Sequence, residues 1–204
     1  MRRQFQLCYI TDRRNLHGRA PESFLLEATE AGLDMIQVRE KDLATQDLLS
    51  LAAPVIERAR DTAVIINDRL DVALALRAAG VHLGQHSMPA AAVKSFAPGE
   101  FLIGVSCHSL NDALAAELAG ADYLLLGPVF ETPSKLGFGP PLGLDQFREA
   151  AARVRIPVLA LGGITPERVR PCLEAGAAGI AGIRIFQDAP SLNRRVAELR
   201  AQFL

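Results

Sequence analysis

Gln37, Arg39 and Lys41 alternate within Gln37-Val38-Arg39-Glu40-Lys41-Asp42, so in an extended chain they share one face. Bases on a buried strand face need an anionic partner, because an unpaired buried charge is costly. A phosphate or diphosphate would meet them through charge-assisted hydrogen bonds. An ion pair with Glu40 or Asp42 is the simpler alternative. In Asn67-Asp68-Arg69 an amide stands beside a carboxylate, which suits Mg2+. The same pair could equally cap a helix starting near Leu70. Thr132-Pro133-Ser134-Lys135 supplies two hydroxyls and a cation, either as a lid over phosphates or as a solvated loop. Two glycine turns, Gly162-Gly163-Ile164-Thr165 and the run through Gly182-Ile183-Arg184, resemble backbone N–H cradles for a phosphomonoester. Two anion sites are therefore expected: one built from side chains and compatible with Mg2+, the other from backbone.

Three further positions invite chemistry and receive plainer readings. His82 stands between apolar neighbours in Val81-His82-Leu83 and reads as a satisfied structural histidine rather than a ligand. Cys107 and His108 are adjacent, which does not make a nucleophilic dyad. Ser106, just before them, reads as a hydroxyl contact for a ligand.

These residues must be held by regular elements. Short apolar runs at 7–11, 35–39, 63–67, 81–84, 102–106, 123–127, 158–162 and 179–185 read as strands. Several are apolar on both faces, as Val64-Ile65-Ile66 and Leu124-Leu125-Leu126 show, and such strands belong to parallel sheets. Helical patterns fall between and after them, at 22–31, 45–60, 70–79, 89–96, 110–119, 144–154, 166–175 and 191–203. Gly32, Gly80, Gly120 and Gly176 each follow an Ala-rich stretch, where a helix C-terminal cap belongs. The pattern predicts eight β–α units closing into one α/β domain, a (β/α)8 TIM barrel over residues 1–204. An open doubly wound sheet would want a glycine-rich turn after the first strand, and Thr11-Asp12-Arg13-Arg14 is not one. The candidate residues all follow strands, which is the end where such barrels place their sites.

Composition narrows the partners. The net charge is −1, so neither nucleic acid nor an anionic membrane is an expected partner. No run approaches the 18 or so apolar residues of a membrane span. The three cysteines, Cys8, Cys107 and Cys172, have no metal-ligand spacing and form no obvious disulfide framework. A cytoplasmic protein is expected, and a homo-oligomer is compatible with the sequence.

Taken together, the motifs resemble the thiamine-phosphate synthase family, which includes a thiazole tautomerase (TenI-like) branch. The matching pieces are Tyr9-Ile10-Thr11-Asp12, Gln37-Val38-Arg39-Glu40-Lys41-Asp42, Asn67-Asp68-Arg69 and Val81-His82-Leu83-Gly84-Gln85. Gly104-Val105-Ser106-Cys107-His108, Gly120-Ala121-Asp122-Tyr123, Gly127-Pro128-Val129-Phe130, Thr132-Pro133-Ser134-Lys135 and Leu161-Gly162-Gly163-Ile164 follow in order. The resemblance implies a transferase of thiamine biosynthesis. It would join 4-amino-5-hydroxymethyl-2-methylpyrimidine diphosphate to a thiazole phosphate, with Mg2+ as cofactor, and release pyrophosphate. It implies that Gln37, Val38, Arg39, Glu40, Lys41, Asn67, Ser106 and Lys135 hold the pyrimidine diphosphate. Thr132, Pro133, Ser134, Gly163, Ile183 and Arg184 would hold the thiazole phosphate. Arg39, Lys41 and Lys135 would stabilise the departing pyrophosphate, so they are the catalytic candidates.

By the same resemblance Asp68 would bind Mg2+, and Ser87 occupies the position of the family's usual second acidic ligand. Arg184 replaces a usual Ser. Pro128 stands where the tautomerase branch can carry a His. The alternatives are a thiazole phosphate tautomerase and a non-enzymatic barrel that binds thiamine-related phosphates.

Overall fold

The computed structural model describes residues 5–132 and 140–204. Eight parallel strands pair in sequence order, and β1 closes on β8. The strands are β1 (Leu7–Ile10), β2 (Met35–Val38), β3 (Ala63–Asn67) and β4 (Gly80–Leu83), then β5 (Leu102–Cys107), β6 (Tyr123–Leu126), β7 (Val158–Leu161) and β8 (Gly179–Gly182). The helices between them are α1 (Pro21–Glu30), α2 (Thr45–Arg58), α3 (Leu70–Ala75), α4 (Ala90–Phe96), α5 (Leu110–Leu118), α6 (Gly143–Arg153) and α7 (Pro166–Glu174). After β8 come α8 (Arg184–Gln187) and α9 (Leu192–Arg200). This is the expected (β/α)8 TIM barrel.

The doubly apolar strands are explained by two separate cores. Leu7, Tyr9, Ile36, Val38, Val64 and Ile66 point outward and pack under the helices. Cys8, Ile10, Met35, Ala63, Ile65, Tyr123 and Leu125 point inward and fill the barrel. Alternation along each strand assigns every residue to one core or the other.

Two local expectations need correction. The eighth strand ends at Gly182 rather than running to residue 185, and Arg184 begins the short α8. Gly80 caps no helix. It is the first residue of β4, and a Cβ there would lie 2.1 Å from the Leu102 carbonyl oxygen. The left-handed residue after α3 is instead Arg77, at φ 52°, where the Ala78 N–H closes the end of the helix on the Ala73 carbonyl at 2.9 Å. Gly32, Gly120 and Gly176 do take the left-handed cap, at φ 82°, 91° and 93°.

Candidate active site

The inward alternation brings four polar side chains to the C-terminal half of the barrel interior: Gln37 on β2, Asn67 on β3, His82 on β4 and Ser106 on β5. Register aligns Asn67 with His82 and His82 with Gly104. Gln37 donates from Nε2 to Asn67 Oδ1 at 2.7 Å, and Asn67 Nδ2 donates to Asp68 Oδ2 at 2.8 Å. Gln37 is buried, and its Oε1 has no hydrogen-bond partner among the described residues. A buried orphan acceptor is costly, so a ligand donor is the natural complement. His82 is buried with both ring nitrogens engaged, Nδ1 to the Tyr123 hydroxyl at 3.2 Å and Nε2 to Ser106 Oγ at 2.8 Å. Burial pushes its pKa down to about 3, so the ring is neutral. The structural reading of His82 therefore holds.

The bases after β2 lack carboxylate partners among the described residues. Asp42 is taken by Arg13 and by Arg14, the latter at 2.7 Å. Glu40 is buried, accepts the Arg13 N–H at 3.1 Å and bonds to Thr11, while desolvation raises its pKa. The Thr11 hydroxyl also accepts the Arg39 N–H at 2.8 Å, which fixes the backbone at the start of this loop. Among the described residues, neither Arg39 nor Lys41 forms an ion pair, so the expected alternative of a bridge to Glu40 or Asp42 is excluded. Arg39 is half-buried and close enough to His82 to bear on its charge, whereas Lys41 is exposed. β2 stops at Val38, so Lys41 is not on the strand face as expected. The Val38 side chain points into the outer core, which leaves only its backbone for a ligand.

Asp68 is not a helix cap. The residue before α3 is Arg69, and no side chain caps that helix. Asp68 itself takes a left-handed backbone, φ 60°. Its Oδ1 accepts from Ser87 Oγ, which in turn accepts the Gly84 N–H at 2.6 Å. Sequence positions 68 and 87, expected to share a metal, do meet. Among the described residues, no group of three or more His, Cys, Asp or Glu forms a ready cage. One carboxylate and one hydroxyl are still a fitting oxygen set for Mg2+, which is often held by one or two carboxylates and substrate phosphates.

Across the mouth, the segment after β6 is stitched onto the end of β7. Val129 N–H bonds to the Leu161 carbonyl at 2.8 Å and Phe130 N–H to the Gly162 carbonyl at 3.1 Å. Gly162 and Gly163 have φ of 96° and 65°, and a Cβ on Gly163 would lie 2.5 Å from the Glu131 carbonyl oxygen. Only glycine allows this approach. Arg168, in the first turn of α7, donates to the Gly163 carbonyl at 2.7 Å and stacks 4.5 Å over Phe130. Sequence reading missed Arg168. Its signal was a cation in a helix's first turn, where the dipole disfavours it. Arg184 is exposed and has no carboxylate partner among the described residues, so no bridge to Glu131 or Asp12 blocks the mouth. Ile183 and Arg184 lie at the start of α8, and Thr132 is half-buried at the edge of the loop. Pro133, Ser134 and Lys135 lie outside the described residues.

Cys107 and His108 form no dyad. Cys107 points into the outer core with its thiol pushed up to about 12 by burial, and His108 Nδ1 bonds to the Gly127 carbonyl.

A cavity of about 230 Å3 touches Glu40, Lys41, Asn67 and Asp68. A larger one, about 930 Å3, lies at the opposite end of the barrel against Phe5, Ala79, Phe101 and Pro157, which precede strands. Size points there, but Arg39 and Lys41, without an ion pair among the described residues, and the orphan oxygen of Gln37 lie toward the other end, and the chemistry decides.

Residues 7–186 match the family model for thiamine monophosphate synthase. The chain belongs to the thiamine monophosphate synthase family. It is 40% identical over 194 residues to a thiamine-phosphate synthase of Roseiflexus sp., covering 94% of this chain and 82% of that one. It is 39% identical over 207 residues to a thiamine-phosphate synthase of Methanoculleus marisnigri, covering 97% and 98%. A solved thiamine phosphate pyrophosphorylase from Pyrococcus furiosus superimposes with a TM-score of 0.87 at 37% identity, covering 98% of this chain and 95% of that chain. A 3-hexulose-6-phosphate synthase superimposes at 0.72 with 19% identity, which marks a shared fold only.

Proposed function

We propose that this protein is a thiamine-phosphate synthase, joining 4-amino-5-hydroxymethyl-2-methylpyrimidine diphosphate to a thiazole phosphate with release of pyrophosphate. The observation that carries the reading, beside membership of the family, is Arg39. It is a half-buried guanidinium at the barrel mouth with no carboxylate partner among the described residues. A cation in that position is stabilised when a phosphate arrives. The orphan Oε1 of Gln37 fits the same substrate, because the amino group of the pyrimidine is a donor that can satisfy a buried acceptor.

The roles follow from position. Arg39 and Lys41, joined by Lys135 from the loop, bind the diphosphate and stabilise the charge that grows on it as the bond to the pyrimidine methylene breaks. Asn67 and Ser106 orient the same substrate beside Gln37. Glu40 contributes by holding the Arg13 and Thr11 end of the neighbouring loop, while Val38 offers backbone only. The Gly163 turn, Thr132, Pro133, Ser134, Ile183 and Arg184 hold the thiazole phosphate, with Arg168 as a further cation beside Gly163. The thiazole nitrogen then attacks the cationic methylene carbon. The reaction needs no protein nucleophile.

Asp68, assisted by Ser87, is the proposed Mg2+ position. When bound there the ion supplies positive charge against the leaving diphosphate. A cytoplasmic enzyme is part of the same reading, as suits a biosynthetic transferase acting on small phosphorylated molecules. No helix among the described residues is long and apolar enough to cross a membrane.

Titration with pyrophosphate tests the reading. The wild type should bind it more tightly with Mg2+ present, and Arg39→Ala should bind it much more weakly. Equal affinity in the two proteins would refute the diphosphate site.

A further inference from the structure

Inside the barrel three side chains from three strands form a line: Tyr123 on β6, His82 on β4 and Ser106 on β5. The Tyr123 hydroxyl meets His82 Nδ1 at 3.2 Å, and His82 Nε2 meets Ser106 Oγ at 2.8 Å. The contact between Tyr123 and His82 depends on Gly104. A Cβ there would lie 2.1 Å from Tyr123 Cζ and 2.6 Å from His82 Nδ1, so any side chain at 104 would occupy the space they share.

Donor counting fixes the direction of the line. A phenol has one proton to donate. Tyr123 is completely buried, and His82 Nδ1 is the one hydrogen-bonding partner found for its hydroxyl among the described residues. Were Nδ1 protonated, two protons would face each other and the phenol proton would be left without an acceptor in a dry interior. Tyr123 therefore donates and Nδ1 accepts. A neutral imidazole carries one proton, so it sits on Nε2 and is donated to Ser106 Oγ. The Ser106 proton is then released from His82. Ser106 is half-buried near the C-terminal end of β5, and its hydroxyl is free to donate away from the ring.

We propose that Tyr123 and His82 are positioning residues that hold the Ser106 hydroxyl as a hydrogen-bond donor toward the pyrimidine diphosphate. This gives a function to the most deeply buried polar pair in the barrel, which neither the charge clamp nor the metal position uses. It also accounts for the phenol being Tyr rather than Phe within the otherwise apolar inner core of Cys8, Ile65 and Leu125. Without that hydroxyl the imidazole proton has no reason to prefer Nε2, and Ser106 can turn its own proton inward to the ring. The proposal rests on the synthase reading for the identity of the ligand, but the proton arrangement does not.

Imidazole nitrogen-15 spectra of the full-length protein, taken without substrate, read the arrangement directly. The chain has four histidines, and the His82 signals are assigned by their loss in His82→Gln. Protonated Nε2 with bare Nδ1 is expected, and a proton on Nδ1 would overturn the proposal. Kinetics then test the consequence. Tyr123→Phe should lower kcat/KM for the pyrimidine diphosphate about tenfold, the size of one hydrogen bond, and leave KM for the thiazole phosphate unchanged. Ser106→Ala should show the same selective loss, and the double variant should lose no more than Ser106→Ala alone. Losses that add, or that fall equally on both substrates, would overturn it. Should Tyr123→Phe fail to fold, the tautomer spectrum and Ser106→Ala still decide. A wild type that forms no thiamine phosphate would count against the synthase reading, and the substrate-free spectrum would stand apart from that result.

Discussion

Gln37 reaches across from β2 to β3 and donates to Asn67 Oδ1 at 2.7 Å, which leaves Asn67 Nδ2 to donate to Asp68 at 2.8 Å. The two amides thereby connect the barrel interior to the exposed carboxylate at its mouth. The orientation of Asp68 thus depends in part on Gln37, which does not touch it, and among the described residues Arg39 and Lys41 form no ion pair.

Arg39→Ala removes the half-buried guanidinium from the diphosphate position. One such interaction in a transition state is worth about 3 kcal/mol, so kcat/KM for synthesis should fall about a hundredfold. Thermal stability should hardly change, because Arg39 has no ion pair to lose among the described residues. Steady-state kinetics beside a melting curve checks both halves.

Ser87→Asp restores a second carboxylate next to Asp68. Ser87 Oγ already touches Asp68 Oδ1, so the new group arrives within reach of the same ion. Tighter Mg2+ binding and higher activity at low Mg2+ are expected. Two adjacent carboxylates repel when no ion is bound, so the variant should also be less stable in chelator than in Mg2+. An unchanged Mg2+ dependence would mean that position 87 does not face the ion.

Arg184→Ser should weaken binding of thiazole phosphate by about 1–3 kcal/mol, the cost of one lost hydrogen bond to a charged group. The exposed guanidinium at the start of α8 makes no ion pair with Glu131 or Asp12, so its removal does not unblock the mouth. Calorimetric titration of both proteins measures the difference, and tighter binding in the variant would contradict the assignment.

His82 should leave a mark on stability against pH. Its pKa falls from an ordinary 6.5 to about 3 in the folded chain, chiefly through burial. Between those values the unfolded chain binds a proton that the folded chain does not, so stability rises with pH across the window. The stability His82 contributes is complete above pH 6.5 and is lost as pH falls toward about 3. A slope of at most about 1.4 kcal/mol per pH unit is expected from this one group. Urea titrations of wild type and His82→Gln over that range should show a shallower slope in the variant.

Much of this arrangement could be read in the chain itself. Runs such as Val64-Ile65-Ile66, buried on both faces, announce a parallel barrel, and the polar residues that follow strands mark its mouth. Asn67 and Asp68 stand out from local pattern and Ser87 from the family resemblance alone, and the three do meet. What sequence could not give was the pairing of groups distant along the chain. Asp42 looked available to Arg39, yet Arg13 and Arg14, 29 and 28 residues earlier, take it. Arg77 in a left-handed turn was invisible because Gly80, three residues on, offered the obvious cap. Tyr123 opens a predicted strand with no role assigned to it, since only the barrel's closure brings it to His82, 41 residues away.

The most direct test is to incubate the purified protein with the pyrimidine diphosphate, the thiazole phosphate and Mg2+, and to measure thiamine phosphate and pyrophosphate. The account predicts both products in equal amounts, none when either substrate is left out, and a marked loss in Arg39→Ala. Wild-type protein that binds both substrates and forms neither product would contradict it.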